Sequence, residues 1–411
     1  MQRLPDPAGR ALRLAILDDN PFVRLADGSI RPRAATFHRF AEAVVAAGPF
    51  DPATYMVPVA DLAPGEPEPD RSSIDPARLR VVPTAPFNGV AGYLRHAFPL
   101  SRANWPVIRR AVAGADLLWI KAPASNALLG RLAARRSHRP WFAWIAGSAR
   151  AVVRGQHRRG LSGILAAGAA IGYDGVSAVL ERTGPTIRLD DAMFSSVVTM
   201  ADVEATRARL LDHNPATDRP LRLAWAGRIV PDKGLDDLVA ALAILRGEGL
   251  VATLDVIGDG PYAERLTDAP ATRSLDGAVR WTGFVSDHVR YFELLREADV
   301  FVLPSRAEGV PKVVVEAMAA GLPVVASNVG AIPRLLEGGR LGRLVPANDP
   351  RSLADAVRRL AGDDDGRRRL RDAGLEFASS HTADAQAHRL VGWLRKTFPA
   401  LPWTSETGSA A

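Results

Sequence analysis

Short apolar runs alternate with helix-length segments through the C-terminal half, and this alternation restricts the chain to few folds. The runs are LRLAWAG, ATLDVIG, VRWTG, DVFVLP, PVVAS and GRLVP, spread over residues 221–346. Strict alternation of strand and helix then predicts a right-handed, doubly wound parallel sheet.

The N-terminal half repeats the pattern. Strands are predicted over 13–18, 54–59, 79–83, 116–122 and 141–147, and an amphipathic helix is predicted over 33–48. A chain of 411 residues is too long for one ordinary core and suits two α/β domains. We place these domains at 1–214 and 215–382, with the polar stretch 212–220 as the linker.

Composition excludes several classes of protein. The chain has no cysteine, which rules out disulfides and thiolate chemistry. No apolar run reaches the roughly 20 residues of a membrane-spanning helix, and the first ten residues lack the apolar core of a secretory signal. We therefore expect a cytoplasmic protein.

The net charge of +7 comes from the N-terminal half. Residues 1–215 hold 27 Lys and Arg against 19 Asp and Glu, whereas the remainder holds 25 against 26. Much of the excess lies over 131–139 and 149–159, which predicts attraction to an anionic surface or acceptor, such as the inner face of a membrane. A solvated helical face is the alternative. Nucleic acid is a poorer explanation, because no recognised reader motif accompanies the charge.

The segment 305–330, SRAEGVPKVVVEAMAAGLPVVASNVG, places two carboxylates around the start of a predicted helix. Glu308 lies in a loop before Pro311, and Glu316 is predicted in the first turn of a helix that ends at Gly321. A helix start of this kind offers unpaired N–H groups and a positive dipole end, which suit a phosphate. The carboxylates would then bind hydroxyls of a ribose or a hexose. Alternatively, Glu316 only favours its own helix dipole and Glu308 is a solvated loop residue.

The segment 224–235, AWAGRIVPDKGL, brings two cations to a similar position. It reads as a strand followed by Gly227 and Arg228, a turn, and Lys233 at the opening of the next helix. Loops at this place in an α/β sheet bind anions. Lysine occurs only four times in the chain, and Lys233 and Lys312 fall in these two segments.

Together with further motifs, these segments resemble the retaining glycosyltransferases of the GT-B fold, in the group called family 4 or glycosyltransferase group 1. The motifs occur in the family's order: GR-x4-KG at 227–234, VIGDGP at 256–261, WTGFVS at 281–286, the long run 298–336 and GRLVPANDP at 342–350. The resemblance implies two doubly wound Rossmann-like domains that face each other across a cleft. It also implies that the last helix, at 383–398, crosses back to the first domain, before a tail at 399–411.

The same resemblance implies transfer of a hexosyl group from a nucleotide-diphosphate sugar to a glycan, lipid-linked or small-molecule acceptor, in cell-surface polysaccharide or glycoconjugate synthesis. Arg228 and Lys233 are expected to stabilise the leaving diphosphate, with Glu308 at the donor hexose. Glu316 is expected to hold the ribose. The remaining expected donor-binding residues are Gly227, Gly258, Gly309, Val310, Pro311 and Lys312, with Gly28 and Ser29 where the family often has paired glycines. No metal ion or cofactor is expected, because cationic side chains and helix dipoles replace the divalent ion.

One position departs from the family. Many relatives end the strand at 141–147 in a histidine that touches the donor sugar, and Ala146 stands at that place here. Either another group, such as His38 or His157, fills the space, or the contact is made differently. The departure leaves open a non-catalytic GT-B protein that binds a partner transferase. A phosphorylase or sugar-nucleotide epimerase of the same fold is a further alternative, although either needs additional acid or base groups in the N-terminal half.

Overall fold

A computed structural model describes residues 10–33, 37–66, 74–87, 96–145, 161–188, 193–212, 219–275 and 277–403. The chain divides into two compact units, each with its own mainly parallel sheet. Unit 1 comprises Met1–Ala149, Ile164–Leu189 and Asp384–Ala411. Unit 2 comprises Arg150–Gly163 and Asp190–Ala383.

Unit 1 is built on an eight-stranded sheet with helices from the intervening segments. Its strands are β1 Leu14–Leu17, β2 Phe22–Arg24, β3 Ile30–Pro32, β4 Ala53–Asp61, β5 Leu79–Thr84, β6 Leu117–Ala122, β7 Trp141–Ile145 and β8 Thr186–Arg188. The helices in this part of the chain are α1 Phe37–Ala47, α2 Ala97–Gly114, α3 Ala127–Arg136 and α4 Leu161–Thr183. The strands lie in the order β5-β4-β1-β6-β7-β8 and are parallel, and an antiparallel hairpin of β2 and β3 adds to the far end of β4.

Unit 2 is built on a six-stranded, fully parallel sheet. Its strands are β9 Leu221–Ala226, β10 Ala252–Ile257, β11 Val279–Gly283, β12 Val300–Leu303, β13 Val324–Ser327 and β14 Arg343–Val345. The helices are α5 Met200–Asp212, α6 Leu235–Gly247, α7 Ala263–Thr267, α8 Pro270–Arg273, α9 His288–Arg296, α10 Lys312–Ala319, α11 Ile332–Leu335, α12 Pro350–Ala361 and α13 Asp364–Ser380. The last helix, α14 Ala383–Thr397, belongs almost entirely to unit 1. The strand order β11-β10-β9-β12-β13-β14 reverses between β9 and β12. In such sheets, ligands bind outside the carboxyl ends of the strands at this reversal, the topological switch point.

Burial on both faces explains why these strands are apolar at successive positions. Every residue of β12 (VFVL) and of β13 (VVAS) is buried. In unit 1, the buried Trp119 of β6 stacks on Phe142 of β7, with ring centroids 5.5 Å apart, and meets Phe40 of α1 edge-on. Such aromatic pairs add about 0.5–1.5 kcal/mol each beyond the area they bury. The predicted α/β class with two doubly wound parallel sheets is therefore confirmed.

The segment 19–32 differs from the loop expected after the first strand, because it forms the β2–β3 hairpin. Phe22 and Val23 are buried, which holds β2 against the end of β4. The strand has only three residues and turn residues flank it in the sequence, so the sequence pattern does not indicate a strand there. The hairpin turns at Gly28, whose φ of 82° lies in the left-handed region that glycine adopts without strain.

The division of the chain also differs from the sequence boundary at 214. Residues 190–214 belong to unit 2, because α5 packs there: Asp202 accepts a hydrogen bond from His288 Nε2 at 2.9 Å, and Arg296 donates to Thr206. A polar linker marks where a chain is exposed, but it does not reveal on which side the preceding helix packs. Most of the proposed linker, 213–218, lies outside the described residues.

Candidate active site

Glycines at the ends of β9 and β10 let two segments of backbone come unusually close. The N–H of Gly227 donates to Ile257 O at 3.0 Å, and Gly258 has a φ of 146°. A Cβ at Gly258 would lie 1.9 Å from Gly227 O, so no larger residue fits. Arg228 follows directly, is exposed, and makes no ion pair or hydrogen bond to another described residue. Its charge is therefore available to a ligand.

An ion pair joins the loops that follow β9 and β12, at the topological switch point of unit 2. Lys233 Nζ lies 2.6 Å from Glu308 Oε1, and Ser305 Oγ donates to the same oxygen at 2.7 Å. The Glu308 side chain is only 7% exposed, so it is not the solvated loop residue of the alternative interpretation. Two predicted site residues, 75 positions apart in sequence, are thus brought into direct contact.

The approach of these two loops is fixed by backbone contacts and by Arg306. Gly234 has a φ of 63°, and a Cβ there would lie 2.1 Å from Pro304 O. The Arg306 guanidinium donates to Pro231 O at 2.6 Å, to Asp236 and Asp237 at 2.8 and 2.9 Å, and to Asn348 at 2.7 Å. Arg306 therefore ties the loop after β12 to the start of α6, and with it positions Glu308 against Lys233.

The segment before α10 holds four further predicted residues, Gly309, Val310, Pro311 and Lys312. Lys312 is the first residue of α10, and Pro311 precedes it at the cap position. Gly330, with a φ of 58°, packs so closely that a Cβ would lie 2.0 Å from Glu308 O. The segment is therefore held at Glu308 by the contact with Gly330 and at Pro311 by the start of α10. Gly309, between these two points, has open space where a Cβ would stand.

Glu316 lies on α10 one position beyond the first turn in which it was predicted, and 8% of it is exposed. Tyr291 of α9 donates its hydroxyl to Glu316 Oε2 at 2.7 Å. Burial raises the pKa of the Glu316 carboxyl, while the hydrogen bond from Tyr291 and the charge of Lys312 oppose that rise. The result is a buried carboxyl with one oxygen engaged by Tyr291.

The predicted residues outside unit 2 have a different setting. Gly28 and Ser29 lie in unit 1, at the turn of the β2–β3 hairpin, where the N–H of Gly28 donates to Leu25 O at 2.9 Å. His38 is buried in α1, with its ring edge-on to Phe22. Ala146 and His157 lie outside the described residues.

Sequence reasoning missed the residues that hold the predicted ones in place. Ser305, Arg306 and Tyr291 make their contacts across long stretches of chain or to oxygens that only folding brings near. Lys121 was missed although lysine is rare here, and it pairs with the buried Asp18 in unit 1 at 2.7 Å. The rarity of lysine was the available signal, since Lys121 lies near the end of β6, Lys233 in the loop after β9 and Lys312 at the start of α10.

The unit 2 arrangement is suited to a ligand that carries both phosphates and hydroxyls. Arg228 and Lys233 supply positive charge beside the switch point, and the carboxyls of Glu308 and Glu316 supply hydrogen-bond acceptors. Within the part of the chain that the structure describes, no three His, Asp or Glu side chains are grouped to hold a metal ion. Over the same residues, each helix is too short or too polar to cross a bilayer.

Comparison with known proteins identifies the family of this region. Residues 220–363 match the family Glycosyl transferases group 1. The chain is 34% identical over 197 residues to an alpha-D-kanosaminyltransferase of Streptomyces kanamyceticus, covering 48% of this chain and 50% of that protein. The chain thus spans about half the length of the curated relatives it matches.

Solved structures extend the likeness to nearly the whole chain. Sucrose-phosphate synthase from Thermosynechococcus elongatus is similar over 95% of this chain and 100% of that one, with a TM-score of 0.67 and 21% identity. HepE of Anabaena, in complex with UDP and glucose, is similar over 94% of this chain and 100% of that one, with a TM-score of 0.61 and 16% identity. At these identities the likeness establishes the fold. Residues 220–363 therefore belong to the glycosyl transferases group 1 family, and the chain that carries them has the GT-B fold.

Proposed function

We propose that this protein is a retaining, metal-independent glycosyltransferase that moves a hexosyl group from a nucleotide-diphosphate sugar to a glycan, lipid-linked or small-molecule acceptor. The observation that carries the proposal is the Lys233–Glu308 pair at the switch point of unit 2, beside the exposed Arg228. A cation at this place can bind the diphosphate of a nucleotide sugar, and a carboxylate can accept hydrogen bonds from the hydroxyls of its sugar. Retention is proposed from the family resemblance.

Catalysis by such a site depends on charge. Negative charge develops on the diphosphate as the glycosidic bond breaks, and fixed cations at that point lower the barrier. Arg228 and Lys233 are the proposed cations, and they would take the role that a divalent ion has in other transferases. When Lys233 turns to the diphosphate, Glu308 is released to accept hydrogen bonds from the donor sugar, with Ser305 still holding one of its oxygens.

The nucleotide is proposed to bind through Glu316. A ribose presents two neighbouring hydroxyls, each able to donate to a carboxylate oxygen. Tyr291 engages Oε2 and so orients the carboxyl, which leaves Oε1 for the ribose. The glycines 227 and 258 would allow the backbone to approach the diphosphate, as glycines do in other doubly wound sheets. The complex of HepE with UDP is in line with this proposal.

Polysaccharide or glycoconjugate synthesis at the inner face of a membrane is the proposed setting. The helices α2 and α3 contain no acidic residue and expose five arginines in the described region, namely Arg102, Arg109, Arg110, Arg135 and Arg136. Each arginine near an anionic bilayer adds about 1 kcal/mol of attraction. We propose that these arginines of unit 1 make peripheral contact with anionic lipid.

Nucleotide release from UDP-, GDP-, ADP- and TDP-sugars tests the transferase proposal. Slow hydrolysis of one donor by the wild type is expected, and Lys233→Ala and Glu316→Gln should each reduce it at least about tenfold, the effect of losing one charge-assisted contact. Lys396→Ala and Glu376→Gln are matched controls, because both side chains are exposed and lie outside the site. Both controls should hydrolyse the donor as the wild type does.

The outcomes separate the alternatives. Nucleotide binding without turnover, even with acceptor mixtures, would favour a non-catalytic partner protein. Hydrolysis that survives in both site variants would refute the assignment of Lys233 and Glu316. Added EDTA should leave the rate unchanged, and a loss of activity restored by a divalent ion would refute metal independence.

A further inference from the structure

A cavity lies in unit 2 between α6 and the short helices α7 and α8. Its volume is about 470 Å³, and small-molecule sites in proteins measure roughly 300–1,000 Å³. The described residues that line it include none of those assigned to the proposed donor site. The cavity is therefore a separate candidate for the binding of a small ligand.

Apolar residues make up most of the cavity lining, and the fold holds them in place. Val239 of α6 and Leu266 of α7 are buried and belong to the hydrophobic core of unit 2. The hydroxyl of Thr272 donates to Leu266 O at 2.7 Å and so ties α8 to α7. The half-buried Tyr262, which precedes α7, adds an aromatic side chain to the lining. A preformed, largely apolar cavity suits an organic ligand rather than an inorganic ion.

Two carboxylates line the cavity, and each is paired with an arginine outside it. Asp236 Oδ2 accepts a hydrogen bond from the Arg306 guanidinium at 2.8 Å. Asp268 Oδ1 accepts one from Arg273 at 3.2 Å. These pairs neutralise both negative charges of the lining, so the carboxylates do not favour a cationic ligand.

Arg265 is the cation of the lining. Its guanidinium lies over the ring of Tyr262, 5.6 Å from the ring centroid, and it pairs with no carboxylate among the described residues. A guanidinium stacked on a ring still has N–H groups along its edge, and these can bind an anion. A single cation beside an apolar wall suits an organic monoanion, whereas a diphosphate needs more positive charge.

Two contacts connect the cavity with the loops of the proposed donor site. The N–H of Tyr262 donates to Ile229 O at 3.2 Å, and Ile229 directly follows Arg228. Asp236 accepts from Arg306, which holds the loop after β12 against the start of α6. A ligand in the cavity therefore contacts residues that position both donor-site loops.

We propose that this cavity is an inhibitory effector site for a small aromatic monoanion, such as an aromatic carboxylate. Arg265 binds the anionic group, and the aromatic body packs against Tyr262 and the apolar lining. The cavity is formed while Lys233 is paired with Glu308, so a ligand that fills it favours this pairing, whereas the donor needs Lys233 for its diphosphate. By linkage, effector and nucleotide then weaken each other's binding by the same factor. The inhibition rests on the proposed transferase function, but the binding of the anion does not.

The test of the site is fluorescence titration of the full-length protein with two probes. Anilinonaphthalene sulfonate is an aromatic monoanion, and phenylnaphthylamine is the same molecule without the sulfonate. The wild type should bind the anion at least about tenfold more tightly than the neutral probe, the effect of one charge-assisted contact. Arg265→Gln should remove this preference. Ala271→Trp should weaken the binding of both probes, because residue 271 is exposed and lines the cavity, which the indole would fill.

Arg369→Gln is the matched control, because Arg369 lies on α13 with its side chain 71% exposed and it does not line the cavity. It should bind both probes as the wild type does, and thermal melting establishes that each variant is folded. Equal affinity of the wild type for the two probes would overturn the anion site, and so would an unchanged preference in Arg265→Gln. Wild-type affinity for both probes in Ala271→Trp would also overturn it, because the probes would then bind elsewhere.

Calorimetry with UDP and GDP, without the anionic probe and at a saturating concentration of it, tests the inhibition. The probe should lower the nucleotide affinity of the wild type at least about fivefold, and it should have no such effect on Arg265→Gln. Unchanged nucleotide affinity of the wild type would overturn the inhibitory role. If neither nucleotide binds even without the probe, the donor-site proposal fails, and the probe titrations still decide whether the anion site exists.

Discussion

Replacement of Tyr291 by phenylalanine tests whether Glu316 acts on the ribose of a nucleotide. The change removes one hydroxyl and leaves the aromatic ring of residue 291 on α9 in place. Tyr291 OH lies 2.7 Å from Glu316 Oε2, a short bond to a buried carboxyl. Hydrogen bonds to charged groups contribute about 1.5–3 kcal/mol, and about 1.4 kcal/mol corresponds to a factor of ten in affinity. We therefore expect nucleotide affinity to fall at least about tenfold at neutral pH.

The pH dependence gives the sign of the effect. Burial already raises the pKa of Glu316, and the hydrogen bond from Tyr291 opposes that rise. Without the hydroxyl, the pKa of Glu316 rises further, so the carboxyl becomes protonated at a higher pH as the solution is acidified. The variant should accordingly lose nucleotide affinity at a higher pH than the wild type, and the two curves should converge when both carboxyls are protonated.

Isothermal titration calorimetry with a ribonucleoside diphosphate and its 2′-deoxy analogue is the assay. If Tyr291 acts through Glu316 on the ribose, the variant should lose affinity mainly for the ribonucleotide. Tyr262→Phe is the control, because Tyr262 lies in the same unit and contacts Arg265 through its ring. An equal loss for both nucleotides, or an unchanged pH profile, would refute the reasoning.

Three further predictions follow from other contacts. Gly258→Ala should lower the free energy of unfolding of unit 2 in urea by several kcal/mol, because the new Cβ would lie 1.9 Å from a backbone oxygen. Gly309→Ala is the control, because a Cβ there has open space, and it should change the free energy of unfolding by less than about 1 kcal/mol. Similar effects of the two substitutions would show that the glycines do not differ as described. Burial alone would raise the pKa of Asp116, but hydrogen bonds from Arg10 and Arg13 hold that pKa well below its usual range. The ionised Asp116 therefore stabilises the folded protein above about pH 4, and this stabilisation is lost on acidification. Asp116→Asn should therefore lower the melting temperature at pH 7 and have less effect near pH 3, and an effect independent of pH would contradict this. Arg306→Lys should lower donor hydrolysis about tenfold without abolishing nucleotide binding. The reason is that lysine cannot reproduce the planar guanidinium group that ties the loop after β12 to the start of α6. Full activity of the variant would show that these guanidinium contacts are dispensable.

The residues of the proposed donor site could be singled out from the sequence because their motifs are local. Strand, glycine and cation follow one another within 224–235, and loop, proline and helix within 305–321, so the sequence carries both strand–loop–helix units. Parallel topology then brings the carboxyl ends of β9 and β12 to one edge. The contact between Lys233 and Glu308 follows from that topology, but its 2.6 Å length and the part of Ser305 in it do not.

The polar contacts of unit 1 could not be predicted in the same way. Asp18 and Lys121 come from two distant segments, and no spacing in the sequence relates them. The hairpin at 22–32 was missed because strands of three residues carry too little periodicity to be recognised.

The sequence by itself determined the α/β class, the parallel direction of the strands in the C-terminal sheet and the segments that carry its charged residues. These follow from apolar periodicity, turn residues and motif order, all of which are properties of short stretches of chain. Only the tertiary structure decided which side chains share a hydrogen bond and which buried oxygens are left without one. It also assigned α5 to unit 2. Those outcomes depend on burial and on contacts between segments far apart in sequence, where a change of one ångström separates a hydrogen bond from none.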